Sequence, residues 1–283
     1  NNSPTNLGIY YYNKLIIDIY KNYINERNSN GQCHYGVMWK NKCIYNIIYN
    51  PINYSTNVNI NNIPKYVFQT YSSKNITQNM KNNIITLRQK HTEFEFFLYD
   101  DNMCREFIKQ HFTNKELYAF DNLIPGAYKA DLWRYCVLYI YGGVYMDIKL
   151  QTINNFKLID HIKEECFPLD DINIPACWQG FLICKPHNHI LKKAIDKIYL
   201  NVLHKVYPSK HFIPTLYITG PTLLGSIINN DDSYKYRNPS IIHPDNAEHL
   251  INRNNKIIMI EYNNYRKELN KHDHYHTLFL KKN

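Results

Sequence analysis

No stretch of this 283-residue chain is long and apolar enough to cross a bilayer as a helix, so no membrane span is expected within it. Its seven cysteines, at positions 33, 43, 104, 136, 166, 177 and 184, include no C-x-x-C pair. That leaves zinc-ribbon and thioredoxin-like readings without support. The odd count leans towards a reducing compartment, so a cytoplasmic setting is the expectation. The chain opens on Asn1 rather than Met; an upstream anchor would make a membrane-attached lumenal form the alternative. There is no internal repeat. No nucleic-acid module accompanies the formal charge of +9, from 33 basic and 24 acidic residues. The basic residues are scattered, with only short pairs such as Lys192–Lys193 and Lys281–Lys282. Most of that charge is expected to be solvated surface, and nucleic acid is not expected as a partner.

What is present is an ordinary globular composition, long enough to bury a full core. Asn, Ile, Lys and Tyr are over-used, and all four have A/T-rich codons, which weakens arguments from any single Asn or Tyr. From Ile63 onward strand and helix patterns alternate: strand at 66–70, helix at 77–89, strand at 94–99, helix at 102–111. A strand at 181–185 precedes a helix from 187 to about 206. Gly220-Pro221-Thr222 opens a helix through Ile228, and later strands are expected at 241–243 and 256–260. Such alternation implies a parallel sheet with helices on both faces, with ligands at the carboxyl ends of the strands. Gln69, Thr70 and Tyr71 end the first strand; Asp100 and Asp101 follow the second.

The densest chemistry lies in AYKADLWRYCVLYIYGGVYMDIKL, residues 127–150. Pro125 and Gly126 precede a helix whose apolar face carries Leu132, Cys136, Tyr139 and Ile140. Asp131 and Arg134, three apart, are neighbours on its surface. Gly142 and Gly143 supply a left-handed cap. In the strand expected at 144–149, Val144, Met146 and Ile148 point into the core, and Tyr145, Asp147 and Lys149 share the other face. An Asp and a Lys on one face of a buried strand need a reason, because an unpaired buried charge is costly. Purely structural ion pairs would be one; a site for hydroxyls and a diphosphate would be another.

The order Lys129, Ala130, Asp131, Arg134, Gly142, Gly143, Val144, Tyr145, Asp147 resembles the signature of glycosyltransferase family 32, the sugar transferases with a D-x-D sugar-binding motif. Ile63-Pro64-Lys65-Tyr66-Val67-Phe68-Gln69-Thr70 is similar to the family's opening strand, and Ile218-Thr219-Gly220-Pro221 to its T-G-P segment. One position departs from the pattern: Lys149 stands where the last Asp of D-x-D would be, and an ammonium cannot ligate a metal.

The resemblance implies an α/β fold of the GT-A type, a Rossmann-like mixed sheet flanked by helices, over residues 61–283. It implies transfer of a hexose from a nucleotide-diphosphate sugar, with UDP the default nucleotide, to a glycan or protein-linked acceptor with retention. The alternatives are a catalytically weak nucleotide-sugar-binding protein and a basic polyanion-binding protein. Asp147 is expected to hold ribose and sugar hydroxyls, Asp131 to accept hydrogen bonds from the sugar, and Arg134 to contact sugar or diphosphate. Tyr145 is expected to line the pocket; Gln69, Thr70 and Tyr71 to meet the nucleoside; Gly220 to lie beside the donor; Trp178 and Gln179 to border the acceptor. A divalent metal, Mn or Mg, could survive through Asp147 and a C-terminal histidine, His276 before His274. Alternatively, Lys149 stands in for the metal.

Residues 1–60 fall outside the resemblance. The apolar spacing over 7–26 predicts a mainly helical N-terminal extension, packed on the domain or mediating a homodimer.

Overall fold

A computed structural model describes residues 36–39, 42–45, 59–72, 76–124, 126–171, 176–206, 214–232, 241–242, 249–252, 254, 256–263 and 265–269. The helix expected over 7–26 and the histidines at 272, 274 and 276 lie outside the described residues. The chain divides into two units, Asn1–Ile48 and Tyr49–Asn283. In the first, β1 (Gly36–Trp39) and β2 (Lys42–Tyr45) pair antiparallel.

The second unit is built on a four-stranded sheet of β3 (Tyr66–Thr70), β4 (Glu95–Tyr99), β5 (Gly143–Met146) and β9 (Phe181–Cys184), in the order β4-β3-β5-β9. The first three are parallel, and β9 closes the edge antiparallel to β5. Alternation along each strand gives the sheet two apolar faces. Phe68, Phe97, Tyr99, Tyr145, Leu182 and Cys184 share one core with side chains from α2 (Asp101–His111), α3 (Asn114–Asn122), α4 (Gly126–Tyr141) and α5 (His189–Leu203). Val67, Phe96, Val144, Met146, Phe181 and Ile183 share the other with Leu87 of α1 (Gln78–Lys90).

That second face receives more than a helix. A second sheet runs β6-β12-β11-β10-β7-β8, comprising β6 (Leu150–Thr152), β7 (Leu169–Asp171), β8 (Ala176–Cys177), β10 (Ile241–Ile242), β11 (His249–Asn252) and β12 (Ile257–Glu261). Leu150, Leu250, Ile258 and Met259 from it join the second core. Of its strands, β10 and β12 overlap those expected at 241–243 and 256–260, whereas β6, β7, β8 and β11, two to four residues each, were not expected. The short helices are α6 (Pro214–Ile218), α7 (Pro221–Asn229) and α8 (Tyr265–Leu269).

Local chemistry explains the boundaries that matter. Thr77 caps α1 by accepting from Met80 N, and Asp100 caps α2 by accepting from Met103 N. Asp100 is therefore spent at a helix start. Helix α4 is not one-faced as expected: every residue from 131 to 138 is buried, while Tyr139 and Ile140 are only partly so. It ends at Gly142 (φ 64°) and Gly143 (φ 97°). A β-carbon on Gly143 would lie 2.8 Å from Tyr66 O, inside the β3–β5 contact. Gly143→Ala combines positive φ with that collision and is expected to cost at least ~2 kcal/mol. A melting temperature within 1 °C of wild type would refute this.

Candidate functional site

Strand β5 stops earlier than expected. Asp147 follows its last residue, and Lys149 lies in a turn rather than on the strand. Leu150 N donates to Asp147 O at 3.0 Å, closing that turn, while Asp147 N donates to Gly180 O at 2.8 Å. Asn83 of α1 donates to both Ile148 O and Leu150 O, at 2.9 Å each, and clamps the turn from below. The segment thus leaves the sheet with its backbone fixed on both sides. The side-chain neighbourhood expected of one strand face is nevertheless retained.

Asp147 is the meeting point. Tyr145 OH donates to its Oδ1 at 2.9 Å. Arg134 NH2 lies 3.8 Å from Oδ1, and Lys149 Nζ lies 3.9 Å from Oδ2. Arg134 in turn sits 3.2 Å from Asp131 Oδ1, donates to Gln179 O at 2.9 Å, and stacks its guanidinium 4.4 Å from the Tyr145 ring centre. Asp131 Oδ2 accepts from the Thr219 hydroxyl at 2.7 Å. Gln179 Nε2 donates to Tyr135 OH and to Thr219 O. The T-G-P segment thereby reaches the base of the site through Thr219, with Gly220 as the N-cap of α7.

The groups differ in access. The side chains of Asp131 and Arg134 are nearly enclosed, whereas those of Asp147 and Lys149 are 23% and 22% exposed. Tyr145 is buried, so it supports Asp147 rather than presenting an open wall. Gln179 is buried in the Asp131 network, and Trp178, half-buried, places its ring 5.9 Å from Lys149 Nζ. Gln69 is fully buried, and among the described residues neither of its amide atoms has a hydrogen-bond partner. Thr70 donates its hydroxyl to Tyr99 O at 3.0 Å, which leaves it only as an acceptor. Tyr71, partly exposed, follows the end of β3; burial and then Glu268 raise its pKa.

Burial pushes the Asp131 carboxyl up to about 6, against the opposing pull of Arg134 and the Thr219 hydroxyl. Burial alone would lower Arg134; Tyr145, Asp131 and Asp147 more than offset it and raise it. The raised carboxyl has a signed consequence. Between the ordinary value of 3.8 and about 6, the folded state holds a proton that the unfolded state has lost, so stability falls as pH rises through that window. The change is about 3 kcal/mol. Urea unfolding of wild type and Asp131→Asn from pH 4 to 7 should show wild type losing ground to the variant as pH rises; parallel curves would refute it.

Three side chains that sequence reasoning did not single out complete the site. Glu261 Oε1, on β12, lies 2.9 Å from Lys149 Nζ. The Tyr265 ring lies 5.7 Å from the same nitrogen. Burial, Asp147 and then Glu261 raise the Tyr265 hydroxyl. Glu268 accepts from Thr77 Oγ1 at 2.7 Å, Asn79 Nδ2 at 2.7 Å and Tyr262 OH at 2.6 Å, joining α8 to the start of α1. No sequence signal marks these contacts, which join positions far apart in the chain.

A divalent metal does not fit the described donors. Among the described residues no three His, Cys, Asp or Glu side chains form a metal-holding group. Asp147, the expected ligand, faces a cation from each oxygen and accepts a hydrogen bond as well. His276 lies outside the described residues.

Comparison with known proteins bears on the same residues. The family described as "Glycosyltransferase sugar-binding region containing DXD motif" matches residues 77–168. The mannosyl phosphorylinositol ceramide synthase of Saccharomyces cerevisiae is 35% identical over 86 residues, 30% of this chain and 22% of that protein. Inositol phosphoceramide mannosyltransferase 3 of Schizosaccharomyces pombe is 31% identical over 165 residues, 58% of this chain and 44% of that protein. The chain therefore spans less than half the length of either relative. Among solved structures, the PaToxG glycosyltransferase superposes with a TM-score of 0.47 at 16% identity, covering 59% of this chain and 69% of that one. The span 77–168, where the chain is similar to that family, holds Asp131, Arg134, Asp147 and Lys149.

Proposed function

We propose that the protein transfers a hexose from a nucleoside diphosphate sugar to a glycan or glycoprotein acceptor, with retention at the anomeric carbon. The observation that carries this reading is the convergence of Asp131, Arg134 and Asp147 just beyond the carboxyl end of β5, where α/β sheets bind ligands. Two of the relatives found are named for mannosyl transfer, so mannose is the first sugar to try. UDP and GDP are the first nucleotides.

In this reading Asp147 receives ribose and sugar hydroxyls, its carboxylate oriented by Tyr145. Asp131 accepts from the sugar when the donor displaces part of its present network. Arg134 fixes both carboxylates, and its own charge stands behind the leaving group. Gln69, whose buried amide lacks a partner among the described residues, turns to the nucleoside beside Thr70 and Tyr71. Gly220 and, beyond the described residues, His276 flank the diphosphate. Negative charge builds on that diphosphate as the glycosidic bond breaks, so fixed cations lower the barrier more than they stabilise bound donor. A divalent metal, when bound, would supply the same charge; no step here requires one.

Residues 61–283 are proposed to form the transferase unit, and 1–60 an extension available for self-association. The test is a thermal-shift screen with UDP, GDP and their sugars, followed by donor turnover with an acceptor panel. Stabilisation by a nucleoside diphosphate together with turnover supports the reading. Indifference to all of them would leave it without foundation.

A further inference from the structure

Lys149 is held in place far more firmly than a surface lysine. Its backbone turn is clamped by Asn83 through the carbonyls on either side, and Lys149 O accepts from Tyr262 N at 2.9 Å. The pairing of β6 with β12 sets Glu261 opposite Leu150, next to Lys149 in sequence, so register brings the carboxylate to the ammonium. Nζ lies 2.9 Å from Glu261 Oε1 and 3.9 Å from Asp147 Oδ2, with the Trp178 and Tyr265 rings 5.9 and 5.7 Å away. An ammonium between two carboxylates, faced by aromatic rings, is in the setting of a bound cation. It has three N–H donors, and the two carboxylates leave at least one of them, among the described residues, for a further oxygen ligand. A divalent ion placed there would meet that ammonium at close range and be repelled.

We propose that Lys149 Nζ is the resident cation of this site, an internal replacement for a divalent metal. Glu261 and Asp147 are the two carboxylates that hold it, and its open donor takes an oxygen of the donor's diphosphate. This rests on the reading of the protein as a nucleoside-diphosphate-sugar enzyme. Glu261 acts through Lys149 and is a positioning residue. The arrangement has a converse. With the lysine head removed, Asp147 and Glu261 are left facing one point, and two carboxylates plus substrate phosphates are a common way to hold Mg²⁺ or Mn²⁺. The lysine therefore does more than supply charge: it occupies the place a metal would take.

The experiment is calorimetric titration of UDP and GDP into wild type, Lys149→Ala, Lys149→Arg and Glu261→Gln, in excess chelator and again with added Mn²⁺. Wild type should bind with equal affinity in both conditions. Lys149→Ala should bind at least about tenfold more weakly in chelator, the weight of a lost charge-assisted contact, and should recover with Mn²⁺. Lys149→Arg should keep most of the affinity without metal. Glu261→Gln should stay within about threefold in affinity but lose about tenfold in turnover at saturating donor, because the cation is present but no longer aimed. Circular dichroism of each variant checks folding. Wild-type binding that collapses in chelator and returns with Mn²⁺ would overturn the proposal. So would Lys149→Ala binding as tightly as wild type in chelator. If wild type binds neither nucleotide under either condition, the donor reading itself fails and this inference falls with it.

Discussion

Asp147→Asn should lower turnover by about 10² to 10³-fold while moving the melting temperature by no more than a few degrees. The separation follows from the charge arrangement. Asp147 touches two cations, but each has a nearer carboxylate: Arg134 keeps Asp131 at 3.2 Å and Lys149 keeps Glu261 at 2.9 Å. Asparagine preserves the acceptor for Tyr145 OH, and the backbone bond from residue 147 to Gly180 O is unaffected. Both of its ion pairs are long, 3.8 and 3.9 Å, so their loss is expected to cost stability little. What the variant loses is the anionic acceptor that would grip donor hydroxyls. Turnover measured beside calorimetric melting checks both halves. A large loss of stability with the catalytic loss would make Asp147 a structural residue.

Arg134→Met should do the opposite, costing about 3–5 kcal/mol of stability before any activity is measured. The guanidinium is enclosed and joins Asp131, Asp147, Gln179 O and the Tyr145 ring. Removing it strands Asp131 in a place where burial already pushes the carboxyl up to about 6. The stranded carboxyl would titrate higher still, and the variant should regain stability on acidification towards pH 5. Asp131→Asn in the same molecule should recover part of the loss, because a neutral amide can still accept from Thr219 without an unpaired charge. Chemical denaturation of the two single variants and the double variant provides the test. Additive losses would show that the two residues are not coupled, contrary to the 3.2 Å pair.

The contrast between these two variants shows how the site is layered. Asp131 and Arg134 form a nearly closed floor whose cost is carried by folding. Asp147 and Lys149 form a partly open upper level where a ligand can meet charge. Gly180 joins the levels: a β-carbon there would come within 2.4 Å of the Trp178 ring and 2.9 Å of Asp147 Oδ2. A side chain at 180 would have to displace the Trp178 ring and the Asp147 carboxylate.

How much of this the sequence discloses depends on the range of each contact. Positions three apart on a helix are neighbours whatever surrounds them, so the Asp131–Arg134 pair follows from spacing alone. Two adjacent glycines after an apolar helix imply left-handed backbone, and Gly142 and Gly143 adopt it. The strands at 66–70 and 181–184 and the helices beginning at 78, 101 and 221 follow from periodicity and caps. The end of β5 at Met146 does not, because it depends on a turn closed by Leu150 and clamped by Asn83. In the second sheet β10 and β12 lie where strands were expected, but β6, β7, β8 and β11 are equally illegible, since strands that short are stable only when paired.

By itself, then, the sequence determined the alternation of elements, the order of the charged residues, and the presence of a lysine at 149 where the motif has an aspartate. Only tertiary structure decided which groups that lysine meets. Glu261, Gln179 and Thr219 reach the site through strand pairing and loop packing, and no local pattern specifies which distant residue a register brings opposite. A charge is a local property of the chain, but its partner, its burial and therefore its energy belong to the fold.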